Sequence, residues 1–77
     1  MNTSNPQPVQ LRYRNLLLEA ASEKTADGEW SASFAVFTVD REKLVYWMPS
    51  LFRAFATERE AERAAHIAGL EFIEHLD

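Results

Sequence analysis

Apolar residues recur at helical spacing along the C-terminal part of the chain. Thr57 and Glu60 stand at the N-cap and N3 positions of a capping box, just before this stretch. At about 100° per residue, one stripe is apolar and is expected to face the core. The first half of this stripe is all alanine and Gly69 lies beside it, so we expect the helix axis to approach the layer beneath it closely there. The pattern predicts a capped amphipathic helix over residues 57–76, with a core stripe formed by Ala61, Ala65, Ala68, Phe72 and Leu76, and with Ala64 on its flank.

Residues 29–39 follow a different pattern, in which side chains alternate between two faces. A period of two predicts a strand. Asp27 and Gly28 directly before it are a strong hairpin signal, which predicts an antiparallel partner that ends near residues 21–24. The residues on the expected core face of this strand are Trp30, Ala32, Phe34 and Val36.

The partner strand is predicted over residues 11–21, although residues 16–21 are good helix formers and a short helix is the alternative. Residues 43–48 are rich in β-branched and aromatic side chains and stop at Pro49, which predicts a third strand. Residues 50–56 then form a connecting loop. Its large apolar residues are expected to cover one end of the core; they are Leu51, Phe52 and Phe55.

These elements predict an α+β fold in which a three-stranded antiparallel sheet packs against one C-terminal helix, in the order β-β-β-α. At 77 residues the chain has room for one domain, expected over residues 11–77, with a disordered polar tail over residues 1–10. It contains no cysteine, which fits a reducing cytoplasm. The N-terminal segment has no signal-peptide pattern, and no apolar stretch approaches the roughly 20 residues that span a bilayer. We expect a cytoplasmic protein without a membrane partner.

The net charge of −4 is confined to one part of the sequence. Residues 1–56 contain six acidic and six basic residues, whereas residues 57–77 contain six acidic residues and only two basic ones. An acidic surface repels phosphate groups over about a Debye length. The predicted helix is therefore a poor candidate for contact with nucleic acid or anionic lipid.

The residue types that catalysis and metal binding need are sparse. His66 and His75 are nine residues apart on the predicted helix, about 180° around its axis, so they cannot share a metal ion. Each has a glutamate four residues earlier, but a zinc site needs at least three protein ligands. No serine sits in a glycine-flanked elbow, and two glycines are too few for a phosphate-binding loop. We expect neither an enzyme nor a protein with a metal or cofactor.

Two alternative functions remain: an enzyme or ligand carrier with a pocket beside Trp30 and Tyr46, for which no catalytic constellation is visible, and a nucleic-acid-binding accessory protein. Basic and aromatic residues on the first and third predicted strands resemble a sheet surface on which bases stack. Against this, the basic residues are scattered and outnumbered by acidic ones, so nucleic acid is an unlikely partner. The residues concerned are Arg12, Tyr13, Arg14, Lys43, Tyr46 and Trp47.

The sequence contains more large apolar residues than one sheet face and one helix stripe can bury. Either Val45 and Trp47 or Leu44 and Tyr46 must point away from the core, and a contiguous exposed apolar patch more often marks an interface. We predict a protein-interaction module that associates as a two-fold dimer or with another protein. In the alternative, the segment around Val9 and Leu11 folds back over one patch. The predicted interaction surface comprises Phe37, Val39, Val45 and Trp47 on the sheet, and Ile67, Leu70 and Ile73 on the helix.

Three short stretches carry a resemblance to known proteins: Tyr13 to Asn15, Asp27 to Trp30, and Phe55 to Ala61. Their layout resembles small uncharacterised proteobacterial proteins of β-β-β-α organisation, which form a domain of unknown function. The strand order is also similar, more weakly, to the N-terminal domain of HicB-type antitoxins. The chain lacks the glycine that precedes the helix in that family, and it lacks an appended DNA-binding domain. The resemblance therefore implies the fold, antitoxin function is not carried over, and the function stays open.

Overall fold

A computed structural model describes residues 9–51 and 53–76 of the chain. Four antiparallel strands lie side by side in chain order, and one helix packs on one face of the sheet. The elements are β1 (Val9–Tyr13), β2 (Leu16–Lys24), β3 (Trp30–Thr38), β4 (Leu44–Met48) and α1 (Glu58–Glu74). The predicted α+β class, antiparallel sheet and C-terminal helix are confirmed.

The prediction of three strands is wrong, because the first predicted strand folds back on itself. Arg14 and Asn15 adopt left-handed backbone conformations, with φ values of 54° and 64°, and join β1 to β2. Tyr13 and Leu16 on either side of them are paired, so the loop has two residues. Two successive left-handed residues form a type I′ turn, whose twist matches that of the flanking strands. The region is strand rather than helix, but it forms two strands.

The connection between β2 and β3 agrees with the hairpin predicted at Asp27 and Gly28. The Thr25 carbonyl accepts a hydrogen bond from the Gly28 N–H at 3.0 Å, and the Thr25 N–H donates to the Glu29 carbonyl at 2.7 Å. Gly28 has a φ of 84°, which favours glycine. This geometry is that of a three-residue hairpin loop that ends in a left-handed residue. It fixes the register in which Lys24 faces Trp30.

The turn between β3 and β4 is held by the side chain of Asp40. Its carboxylate accepts hydrogen bonds from the Thr38 hydroxyl at 2.6 Å and from the Glu42 N–H at 2.9 Å. These hydrogen bonds, that of Thr38 first, lower the pKa of the Asp40 carboxyl below its usual value. Beyond the turn the pairing slips by one residue, because Phe37 faces Leu44 whereas Val36 faces Tyr46. The resulting β-bulge leaves Val45 without a partner on β3.

The side of the sheet under α1 carries the hydrophobic core. The predicted core face of β3 is confirmed, because Ala32, Phe34 and Val36 are buried and Trp30 packs against them. From β2, Leu18 and Ala20 join this layer, and both are fully buried. The loop after β4 closes one end of the core: Phe55 is buried and Leu51 packs beside it, as predicted. The prediction for Phe52 lies outside the described residues.

The core line of α1 differs from the predicted stripe in its second half. The buried positions are Ala61, Ala65, Gly69 and Ile73, which follow each other at intervals of four residues. A β-carbon built on Gly69 would lie only 2.3 Å from Leu18 Cδ1, so Leu18 occupies the space that the glycine leaves. The contact line therefore passes through Gly69 to Ile73, and Leu76 is exposed instead of buried. The expected close approach at Gly69 is confirmed.

The predicted tail lies largely outside the structure. Residues 1–8 are not among the described residues, whereas Val9 and Gln10 belong to β1 and pair with Ala20 and Glu19. Strand β1 thus starts at Val9, two residues before the start of the predicted domain.

The predicted N-cap of the helix is confirmed at Thr57. Its hydroxyl oxygen accepts a hydrogen bond from the Glu60 N–H at 3.1 Å, and its backbone is extended. Because this contact satisfies an N–H that has no partner within the helix, we expect Thr57→Ala to lower the free energy of unfolding by about 0.5–2 kcal/mol. Urea unfolding followed by circular dichroism would measure the loss. Thr57→Ser keeps the hydroxyl and should lose much less; an equal loss in both variants would contradict the role of the cap.

Candidate functional site

The face of the sheet opposite α1 carries an apolar surface that no element of residues 9–51 and 53–76 covers. We call it the outer sheet face. Strand register places its residues in cross-strand rows, since Ala35 pairs with Trp47 and Phe37 pairs with Leu44. Residues directly opposite each other in an antiparallel pair point to the same face. Its apolar members are Leu17, Ala35, Phe37, Leu44, Val45 and Trp47.

Trp47 is the most exposed large apolar residue of this surface. Its exposed fraction is 60%, and Leu44 and Val45 beside it on β4 are also exposed. Tyr46, which points to the other side, stacks on Phe72 of the helix with 4.2 Å between ring centroids. Of the two alternatives for this strand, Val45 and Trp47 therefore point away from the core. The bulge adds Leu44 to them, because it places Leu44 opposite Phe37.

The remaining predicted sheet residues lie at the same end of this surface. Phe37 is half-buried on the outer sheet face, and Val39 is exposed in the turn that follows β3. Val9 and Leu11 lie in β1 and pair with Ala20 and Leu18, so they point to the helix side of the sheet. This segment extends the sheet at its edge and does not cover the outer sheet face.

Polar contacts order the centre of the outer sheet face. The Glu19 carboxylate accepts a hydrogen bond from the Gln10 amide at 2.8 Å and forms an ion pair with Arg41 at 3.1 Å. The Arg41 guanidinium also lies over the Phe37 ring, 4.8 Å from its centroid. Only 11% of the Glu19 side chain is exposed. The network leaves the face without net charge there and holds Phe37 in place.

The helix offers a smaller apolar surface than predicted. Ile67 is 53% exposed, whereas Leu70 is half-buried and packs against the core. Ile73 is only 2% exposed, so its predicted place on an outer ridge is wrong. Ile73 follows Gly69 by four residues on the buried line of α1, so its side chain faces the sheet. Within α1, Ile67 remains as the single large exposed apolar residue.

The two histidines lie on separate parts of α1. The Nδ1 of His75 is 2.8 Å from the Glu71 carbonyl oxygen; since a carbonyl only accepts, this nitrogen carries the proton. The Nε2 of His66 is buried and has no hydrogen-bond partner among the described residues. Within residues 9–51 and 53–76, no group of three histidine, aspartate or glutamate residues is close enough to hold a metal ion.

The basic and aromatic residues that suggested a base-stacking surface do not share one face. Arg12 pairs with Leu17 and lies on the outer sheet face with Trp47. Tyr13 and Tyr46 point to the helix side and pack against the core. The Tyr13 hydroxyl donates a hydrogen bond to the Glu74 carboxylate, and this contact raises the pKa of Tyr13. Of the three aromatic residues, only Trp47 thus lies on the same face as Arg12, where a base could stack on it.

Two clefts open on the helix side of the molecule. One, of about 300 Å³, lies between β4 and the second half of α1. For an enzyme or ligand carrier, the sequence predicted a pocket beside Trp30 and Tyr46; Tyr46 lines this cleft, whereas Trp30 does not. The other, of about 400 Å³, lies between residues 53–56 and the first half of α1. Neither cleft reaches the outer sheet face.

Comparisons of the chain with known protein families, with curated proteins and with solved structures find no match. The family resemblance suggested by the sequence stays a prediction. The helix of the described region is too short and too polar to cross a membrane.

Proposed function

We propose that this protein is a small protein-interaction module that associates with a second copy of itself through the outer sheet face. The observation that carries the proposal is Trp47, which is 60% exposed in the apolar row that Leu44, Val45 and Trp47 form along the edge strand β4. Tryptophan is among the residues that contribute most to interfaces when a partner buries it. A second copy would present the same apolar row, as a two-fold interface requires.

The distribution of charge favours this face over the helix. The charged residues of the outer sheet face cancel, since Arg12 and Arg41 balance Glu19 and Glu23. By contrast, residues 57–77 carry the whole net charge of −4. Docking of two helices through Ile67 would bring like charges together. Docking of two sheets instead separates the helices by two sheet layers, more than the Debye length of about 10 Å.

The size of the face sets the strength of the proposed dimer. The sheet has two strands of five residues and two of nine. At about 3.3 Å per residue and 4.8 Å between strands, these four strands cover about 450 Å² in projection. Doubled over two copies, this is near the lower limit of about 1,000 Å² for specific interfaces. We therefore expect a reversible dimer whose population rises with protein concentration.

Sedimentation equilibrium of the wild type, Trp47→Lys and Ile67→Lys tests the proposal. The wild type and Ile67→Lys should form dimers, whereas Trp47→Lys should weaken the dimer at least about 30-fold, because loss of a tryptophan that a partner buries costs ~2 kcal/mol or more. Both lysines replace exposed residues, so circular dichroism should show the same fold in all three proteins. A wild type that stays monomeric at high concentration would end the proposal. So would a dimer that Ile67→Lys disrupts and Trp47→Lys leaves intact.

A further inference from the structure

The larger cleft, between residues 53–56 and the first half of α1, has the size and composition of a small-molecule site. Its volume of about 400 Å³ falls within the range of ligand pockets, about 300–1,000 Å³. It opens on the helix side of the molecule, so ligands there would not meet the outer sheet face. The residues that matter for its chemistry are Arg53, Phe55, Glu60, Arg63, Ala64 and Ile67.

The apolar wall of the cleft is anchored to the sheet. Phe55 exchanges two backbone hydrogen bonds with Trp30, each of 2.8 Å, and is buried. On the opposite side, Ala64 and Ile67 stand one turn apart on α1, and Ile67 is exposed. The small side chain of Ala64 leaves room between Phe55 and Ile67. A branched or aromatic group of a ligand could therefore pack against Phe55 and remove Ile67 from water.

Three charged side chains border this wall. The Arg53 guanidinium lies over the Phe55 ring, 5.0 Å from its centroid. Glu60 and Arg63 lie one helical turn apart, a spacing at which oppositely charged residues commonly pair. Across the described stretches of the chain, the one ion pair within 4.0 Å joins Arg41 and Glu19. The charges around the cleft are thus available to a ligand.

We propose that this cleft binds an apolar α-amino acid in its zwitterionic form. Arg53 and Arg63 are suited to a carboxylate, which guanidinium groups bind through parallel hydrogen bonds. Glu60 matches the ammonium group. The apolar side chain of the ligand packs between Phe55 and Ile67. Each charged residue of the cleft then faces a ligand group of opposite charge. A ligand with a carboxylate but no amino group would leave Glu60 without a positive partner and close to the ligand carboxylate. The proposal does not depend on self-association.

Titration of ¹⁵N-labelled protein with L-leucine tests the assignment. We expect saturable shifts of the Phe55, Ala56 and Ala64 amides, with a Kd on the order of 1 mM, as suits so small a ligand. Three probes each lack one part of leucine: 4-methylpentanoate has no amino group, isopentylamine has no carboxylate, and glycine has no apolar side chain. Each should bind at least about tenfold more weakly, because a charged hydrogen bond or an apolar contact is lost.

Substitutions separate the cleft from general charge effects. Arg63→Gln and Glu60→Gln should each weaken leucine binding at least about tenfold. Arg59→Gln removes an exposed arginine of the same helix outside the cleft and should leave it unchanged. Absence of saturable shifts in the wild type would overturn the proposal, as would equal effects of Arg59→Gln and Arg63→Gln. Binding of 4-methylpentanoate as tight as that of leucine would overturn the assignment of an amino acid.

Discussion

Replacing Ile73 with alanine is expected to lower the free energy of unfolding by about 2–5 kcal/mol, because it leaves a cavity where a large side chain is buried. Ile73 is among the largest fully buried side chains of the core. A domain of this size has a total stability of roughly 4–12 kcal/mol, so the variant could lose half of it. Urea unfolding followed by tryptophan fluorescence would measure the change.

Ile67→Ala is the matched control for this prediction. It makes the same substitution on the same helix at a residue that is half exposed, so we expect a change within about 0.5 kcal/mol. The pair also distinguishes the two descriptions of α1. The stripe expected from the sequence leaves Ile73 outside the core, and it would predict similar small losses for both variants. Equal losses would therefore contradict the contact line through Gly69.

Gly69→Ala is expected to lower the free energy of unfolding by about 1–3 kcal/mol. Helix propensity alone predicts the opposite sign, since alanine is favoured over glycine by about 1 kcal/mol inside a helix. The added β-carbon would lie within 3.0 Å of both terminal carbons of Leu18, which is fully buried and surrounded by core residues. Thermal and urea unfolding would both report the loss.

Two further variants separate packing from propensity at this site. Ile67 is an exposed position on the same helix as Gly69. Comparison of Ile67→Gly with Ile67→Ala there measures the difference in helix propensity between glycine and alanine, and the alanine variant should be the more stable. Leu18→Ala removes the side chain that Gly69→Ala would strike. We therefore expect the double variant to be more stable than the sum of the two single changes predicts. An additive result, or a stabilising Gly69→Ala, would show that the layers are farther apart than the structure has them.

The sequence predicted correctly those features that depend on a few neighbouring residues, such as a helix cap and a turn. The hydroxyl of Thr57 and the glycine at position 28 each act on their own neighbours, and both occur where the sequence placed them. The alternation through β3 likewise predicted the strand and which of its residues share a face. The Arg14–Asn15 turn was missed because left-handed turns are usually marked by glycine, and here only the asparagine gives a signal.

The parts that the sequence could not predict depend on contacts between elements. Gly69 contributes no side chain of its own, so a hydrophobic pattern gives no sign that the core line passes through it. The bulge at Val45 arises from how β4 pairs with β3, and it brings Leu44 to the same face as Phe37. An exposed sheet face including Val45 and Trp47 could be expected from an excess of apolar residues. The cleft at Arg53 could not, because its walls come from segments that are separate in the sequence.

The order of the four strands also bears on how fast the chain can fold. Every strand pairs with the strand that precedes or follows it in the chain, and the β1–β2 and β2–β3 loops are especially short. Closing such loops costs little chain entropy, so each hairpin can form without waiting for distant segments. The contact between Tyr13 and Glu74 joins residues near the two ends of the described chain, so it forms only when α1 docks on the sheet. A meander of this kind is expected to fold faster than sheets whose neighbouring strands are remote in sequence, and to expose the core side of its sheet only briefly.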